Sequence, residues 1–159
     1  MRNRYQYNHF FFKAYRKIKQ LLKKGHIVCI QEPKLTENQA KLINIHLKAH
    51  ISSEAHGLIT LIPENVDIIS KEVKQLGRVQ ITTVMINKVK HCVFNIYAPT
   101  TKNQKTKRQF FNELNTSIEE AAEWNVNAKI IIGGISTLIW MLNRQLGQSY
   151  LTQLVKPSS

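Results

Sequence analysis

The chain has 159 residues, 43% of them apolar and 21% charged, which is the size of one domain and enough to build a packed core. It carries 23 Lys and Arg against 10 Asp and Glu, a formal charge of +13, and residues 1–31 hold eight of the basic residues and no acid. Such a balance favours polyanionic partners, namely nucleic acid or an anionic membrane. No run of eighteen uncharged apolar residues exists to span a membrane, and two cysteines are too few for a disulfide framework or a four-thiolate zinc site.

Met1–Phe12 is a basic, aromatic arm without the apolar core or cleavage site of a secretory signal. Ala14, Ile18, Leu21 and Leu22 predict a helix over Lys13–Lys24, basic on its opposite face and stopped by Gly25. His26–Gln31 is a short apolar run that predicts a buried parallel strand, ended by Pro33. Thr36 and Gln39 form a capping box, and Ala40, Ile43 and Leu47 carry the helix to about Ala49. Leu58–Ile62 and Val66–Val73 read as strands. Val79–Ile86 and His91–Tyr97 read as a hairpin with Asn87-Lys88 near its turn. Alternation puts Val93, Asn95 and Tyr97 on one face and Cys92, Phe94 and Ile96 on the other.

Thr100–Arg108 reads as a basic loop. Phe110, Leu114, Ile118 and Ala121 then predict a long helix to about Trp124. Lys129–Ile132 is another buried strand, ended by Gly133-Gly134, and a short final helix is expected near Gln148–Val155. Strands alternating with helices, plus one hairpin, predict an α/β fold with a mixed sheet. Cys29 and Cys92 sit in apolar runs and read as buried thiols in a reducing compartment, so a nuclear or cytoplasmic, intracellular location is expected.

Candidate chemistry gathers at strand ends, where α/β folds place their ligands. Glu32 directly follows one strand, and Asn95 and Tyr97 end another. Gly133-Gly134 either turns the chain or lets a phosphate approach closely. Asp67 is the only aspartate among the ten acids, so any magnesium site would rest on glutamates and amides. His46 and His50 have the i, i+4 spacing of a zinc pair but no third ligand. The patterns of a nucleophile elbow, a phosphate-binding P-loop and a dinucleotide fold are absent.

The succession IVCIQE (Ile27–Glu32), AHGLITLI (Ala55–Ile62), LGRVQITTVMIN (Leu76–Asn87), NIYAP (Asn95–Pro99), RQFFNEL (Arg108–Leu114) and IIIGG (Ile130–Gly134) resembles the endonuclease/exonuclease/phosphatase superfamily. It is most similar to the endonuclease domain of LINE-type retrotransposon polyproteins, over Lys13–Gln148. Ser136–Gln148 resembles the segment after that family's Gly-Asp-Phe-Asn motif. The resemblance implies a four-layer α/β sandwich of two sheets covered by helices, and magnesium-dependent hydrolysis of DNA phosphodiesters. It implies that Glu32 matches the family's metal-binding glutamate and Tyr97 its phosphate-contacting tyrosine.

The departures from the family pattern are specific. YNHFFF replaces an Asn-x-Asn-Gly strand, and Thr100 replaces an asparagine. Gly134-Ile135-Ser136-Thr137 replaces Gly-Asp-Phe-Asn, which leaves Ser136 at or near the asparagine position and no carboxylate. The Ser-Asp-His motif with its general-base histidine is missing. The expectation is a partial sandwich, truncated at its C-terminal end: an arm over 1–12, the domain over 13–148 and a tail over 149–159. Loss of cooperating groups of this kind typically removes several orders of magnitude in rate, so a catalytically inactive domain is expected. Tyr97 and Ser136 are its degenerate catalytic positions, Glu32 its metal position, and Lys102, Lys105, Lys107 and Arg108 its contacts to nucleic-acid phosphates. The alternatives are a non-catalytic nucleic-acid-binding protein and a retroelement remnant without function. No membrane contact is expected, and no protein partner is identified.

Overall fold

In a computed structural model of the protein, residues 14–33, 35–52 and 57–134 are described. The arm, the tail, the predicted final helix and Ser136 lie outside them.

Residues 14–23 form helix α1. It ends in a paired hydrogen-bond motif: Gly25 N–H donates to Leu22 O and His26 N–H to Leu21 O, both at 3.0 Å. This closure needs a left-handed residue after the helix, and Gly25 takes φ +86. β1 (Val28–Gln31) follows, then α2 (Glu37–His46), β2 (Lys48–Ser52) and β3 (Leu58–Ile62). The three strands form a sheet of order β1-β3-β2, antiparallel at both junctions.

Two expectations are corrected here. β1 is antiparallel to its neighbour, not parallel. Its crossover helix does link two strands of one direction, β1 and β2, but β3 lies between them. And α2 stops at His46, because Leu47 is extended (φ −130, ψ 151) and residues from Lys48 pair with β3. The helix-forming composition of Leu47–Ala49 is overridden by a strand partner.

The capping box at Thr36 is formed. Gln39 N–H donates to Thr36 Oγ1 at 3.2 Å, and Thr36 N–H donates to Gln39 Oε1 at 2.9 Å. Thr36→Ala is expected to lower stability by about 1 kcal/mol, read by calorimetry as a melting point lower by a few degrees.

β4 (Asp67–Lys74), β5 (Val79–Ile86) and β6 (Val89–Ile96) form an antiparallel meander, with a bulge in β4 between Ile68 and Ser70. Asn87 and Lys88 turn β5 into β6 with φ 50 and 66, the paired left-handed conformation of a two-residue hairpin turn. α3 (Gln104–Trp124) crosses over to β7 (Lys129–Gly133), which lies parallel to β6 and makes this sheet mixed. α3 is capped by Asn103, whose Oδ1 accepts from Lys105 and Thr106 N–H. The predicted basic loop is therefore helical from Gln104: Lys105, Lys107 and Arg108 stand on the first turns of α3, and Lys102 alone precedes the cap.

Side-chain parity builds four layers. Ile18, Leu21 and Leu22 of α1 and Ile43 of α2 pack on Val28, Ile59 and Leu61 of the first sheet. Phe110, Leu114 and Ile118 of α3 pack on Ile81, Cys92, Phe94, Ile96, Ile130 and Ile132 of the second. Between the sheets, Cys29, Ile62, Val84, Val93 and Ile131 form an apolar cluster. The fold is thus helix, sheet, sheet, helix, the α/β sandwich expected. Both cysteines are buried free thiols, and burial pushes Cys29 up to about 12.

The remaining space between the sheets is polar. Thr60, Gln80, Thr82 and Asn95 are fully buried there, with His50 beside them. Thr60 Oγ1 donates to Gln80 Oε1 at 2.6 Å, and Gln80 Nε2 donates to His50 O at 3.0 Å and Leu58 O at 3.2 Å. His50 Nδ1 and Thr82 Oγ1 lie 2.8 Å apart. Buried polar groups persist when partnered in this way.

A candidate active site at the paired strand ends

Register decides which residues meet. Gln31 pairs with Leu58, so Glu32 and Gly57 leave the first sheet together. Val79 pairs with Ile96 and Asn95 with Gly133, so Arg78, Tyr97 and Gly134 leave the second sheet at one end. These two ends face each other. The Tyr97 hydroxyl donates to Glu32 Oε1 at 2.7 Å, joining residues 65 apart in sequence.

Local geometry holds both side chains. Glu32 has a left-handed backbone, φ 49, and its N–H donates to Gly57 O at 3.2 Å. Gly57 itself has φ +77, a conformation that favours glycine, while a Cβ there would make only ordinary contacts with Pro33 and Ser52. Tyr97 N–H donates to Arg78 O at 2.8 Å. Arg78 returns the contact: its Nη1 donates to Tyr97 O at 3.3 Å, and its guanidinium carbon lies 5.3 Å from the centre of the Tyr97 ring, within cation–π range. The hydrogen bond to the Glu32 carboxylate lifts the Tyr97 phenol above the usual tyrosine range, burial adds to this, and the Arg78 charge opposes it.

The other predicted residues separate into groups. Asn95 shares the face of Tyr97, as alternation requires, but the first sheet covers it completely. Its Oδ1 accepts from Gln31 Nε2 at 2.7 Å. Lys102, Lys105 and Arg108 are exposed and Lys107 is half-buried, all around the start of α3, a few residues beyond Tyr97. Gly134 follows β7 beside the end of β6. His46 and His50 are not a helical pair: His46 is exposed at the end of α2, and His50 is buried in β2 between the sheets. Among the described residues, no three His, Cys, Asp or Glu side chains stand close enough to hold a metal ion.

Arg78 is the residue that sequence reasoning missed. The signal was present in the hairpin: once Val79 is paired with Ile96, the residue before one is placed against the residue after the other. A cavity of about 260 Å³ lies elsewhere, between β4–β6 and the last turns of α3, lined by Lys74, Thr83, Cys92, Ser117, Glu120 and Trp124 among others. It shares no residue with the strand-end group. No described helix is long and apolar enough to cross a membrane.

No family model and no curated protein matches the chain in sequence. Solved structures do match in fold. TDP2 of D. rerio, complexed with a single-strand DNA product, superposes with a TM-score of 0.56 at 18% identity, covering 75% of this chain and 51% of that one. A form of D. rerio TDP2 humanized by 14 mutations gives 0.57 at 18% identity, over 79% of this chain and 55% of that one. Truncated Caenorhabditis elegans TDP2 gives 0.52 at 17% identity, over 65% of this chain and 46% of that one. The chain spans about half the length of the structures it matches. TDP2 is a member of the endonuclease/exonuclease/phosphatase superfamily, and this chain shares its fold.

Proposed function

We propose that this chain, with its endonuclease/exonuclease/phosphatase fold, is a nuclease-like domain of LINE-type retrotransposon origin that binds a nucleic-acid backbone without cleaving it. The observation that carries the reading is the Glu32–Tyr97 pair. The residues that match a metal-binding glutamate and a phosphate-contacting tyrosine meet at 2.7 Å, and among the described residues no three His, Cys, Asp or Glu side chains gather to hold a metal ion.

The described donor set is a poor cage for a resident magnesium ion. Magnesium demands tight octahedral geometry and is held by one or two carboxylates together with several waters and substrate phosphates. Here one oxygen of the Glu32 carboxylate accepts from Tyr97, and a guanidinium stacks on the same tyrosine. No described histidine joins the group to take a proton from water. The side chains present suit binding better than hydrolysis. The Arg78 guanidinium offers donors to a phosphate beside Tyr97, and Lys102, Lys105, Lys107 and Arg108 offer positive charge a short distance along the chain. The single-strand DNA in the D. rerio TDP2 structure makes a single strand the first probe to use.

Two assays test this. With supercoiled plasmid and magnesium, the protein is expected to nick no faster than its Glu32→Ala variant. Magnesium-dependent nicking that disappears in that variant would show that a working site exists and would overturn the reading. With a fluorescent single-stranded oligonucleotide, binding is expected to weaken steeply with salt. Alanine at Lys102, Lys105, Lys107 and Arg108 together is expected to weaken it about tenfold or more at low salt, because phosphate contacts add through counterion release.

A further inference from the structure

Glu32 and Tyr97 sit on different sheets, and neither sheet alone sets the distance between them. Packed sheets lie about 10 Å apart and are held by whatever side chains cross the gap. Next to the strand-end group, that crossing is an amide pair. Gln31, adjacent to Glu32, donates from Nε2 to Asn95 Oδ1 at 2.7 Å. Asn95, two residues before Tyr97 and on its face, donates from Nδ2 to Ile59 O at 2.9 Å and to Ile30 O at 3.3 Å, with Thr60 Oγ1 at 3.4 Å. One side chain of the second sheet thus grips two strands of the first. Asn95 is fully buried, so it touches no ligand.

We infer that Gln31 and Asn95 are positioning residues of the strand-end site, an amide bridge that holds Glu32 and Tyr97 within hydrogen-bonding reach across the two sheets. The inference rests on reading those two residues as the site. Its geometry is directional. An amide both donates and accepts, so one Asn side chain meets a backbone carbonyl on one side and a glutamine on the other. An apolar pair of the same volume would fill the space without setting where along the strands the sheets stop. Gln31 is the informative position, because it is half-buried at the end of an outer strand and its replacement leaves the buried Asn95 bonds to Ile30 and Ile59 intact.

The test reads the Tyr97 hydroxyl directly. Protein carrying 13Cζ-tyrosine is observed by NMR at neutral pH, with Tyr97 assigned through Tyr97→Phe. Exchange of its hydroxyl proton is followed from the ring-carbon isotope shift in mixed H2O and D2O. In Gln31→Met, exchange at Tyr97 is expected to be about tenfold faster, the size of effect that one net hydrogen bond supports. The other tyrosines should be unchanged, and the thermal melt should stay cooperative. The exchanged pair Gln31→Asn with Asn95→Gln, which restores the span of the bridge, is expected to recover most of the protection. If Gln31→Met lowers the melting point and leaves Tyr97 exchange as it was, the amides only stabilise the core and the inference is wrong. Single-strand binding is measured on the same samples. Wild-type protein that protects the Tyr97 hydroxyl but binds no strand would sink the functional reading and leave the positioning role standing.

Discussion

Gln80→Ala is expected to be among the most damaging single changes in this protein, lowering unfolding free energy by about 4 kcal/mol, since each buried group left without a partner costs about 1–3 kcal/mol. The side chain is fully buried and makes three hydrogen bonds, accepting from Thr60 and donating to the carbonyls of His50 and Leu58. Truncation takes one bond from each of three partners between two sheets, where water has little room to replace it. Urea denaturation gives the number, and Gln80→Met separates its parts. Methionine keeps most of the volume and removes the bonds. A loss in Gln80→Met close to that of Gln80→Ala would assign the effect to hydrogen bonding. A loss under about 1 kcal/mol would show that the polar layer contributes little beyond filling space.

Acid should weaken the fold through His50. Burial, followed by the Lys71 ammonium, lowers this histidine from 6.5 to about 4. Lys71 is fixed nearby, donating to Ala49 O at 2.9 Å. The folded protein therefore keeps His50 neutral where the unfolded chain protonates it. The contribution is fully present above pH 6.5 and is lost as pH falls from 6.5 towards 4. It amounts to about 3 kcal/mol at the lower end, from 1.36 kcal/mol per unit. Urea midpoints measured from pH 7 to pH 4 should fall accordingly, and His50→Gln should flatten that part of the profile. Equal slopes in the two proteins would place the acid sensitivity in the carboxylates instead.

What could be read from the sequence follows the range of the interactions involved. Leu58–Ile62, the β5–β6 hairpin and the apolar stripe of α3 announce themselves through local periodicity, and their limits agree closely with expectation. The Thr36 cap is equally local. β2 is not: Lys48–Ser52 becomes a strand because β3 lies beside it, and nothing within five residues says so. The same holds for the direction of β1, which depends on a neighbour about thirty residues away. Asn95 was placed on the correct face, but its burial depends on the sheet above it. The resemblance picked out Glu32 and Tyr97 separately, but their meeting was not legible, since no spacing rule brings residues 65 apart into contact. Arg78 lay within reach of the hairpin register and needed only that register to be carried one residue past the strands.

Distance along the chain also sets an order of assembly. β4, β5 and β6 are joined by turns of four and two residues, so their pairing closes short loops at little entropic cost. The bridge from Gln31 to Asn95 closes a separation of 64 residues, and gains nothing until both sheets exist. Long closures are repaid late in folding. The meander is thus the natural nucleus, and the amide bridge is among the last contacts to form. The part of this molecule that most defines its character is completed only after the scaffold around it has already committed to its shape.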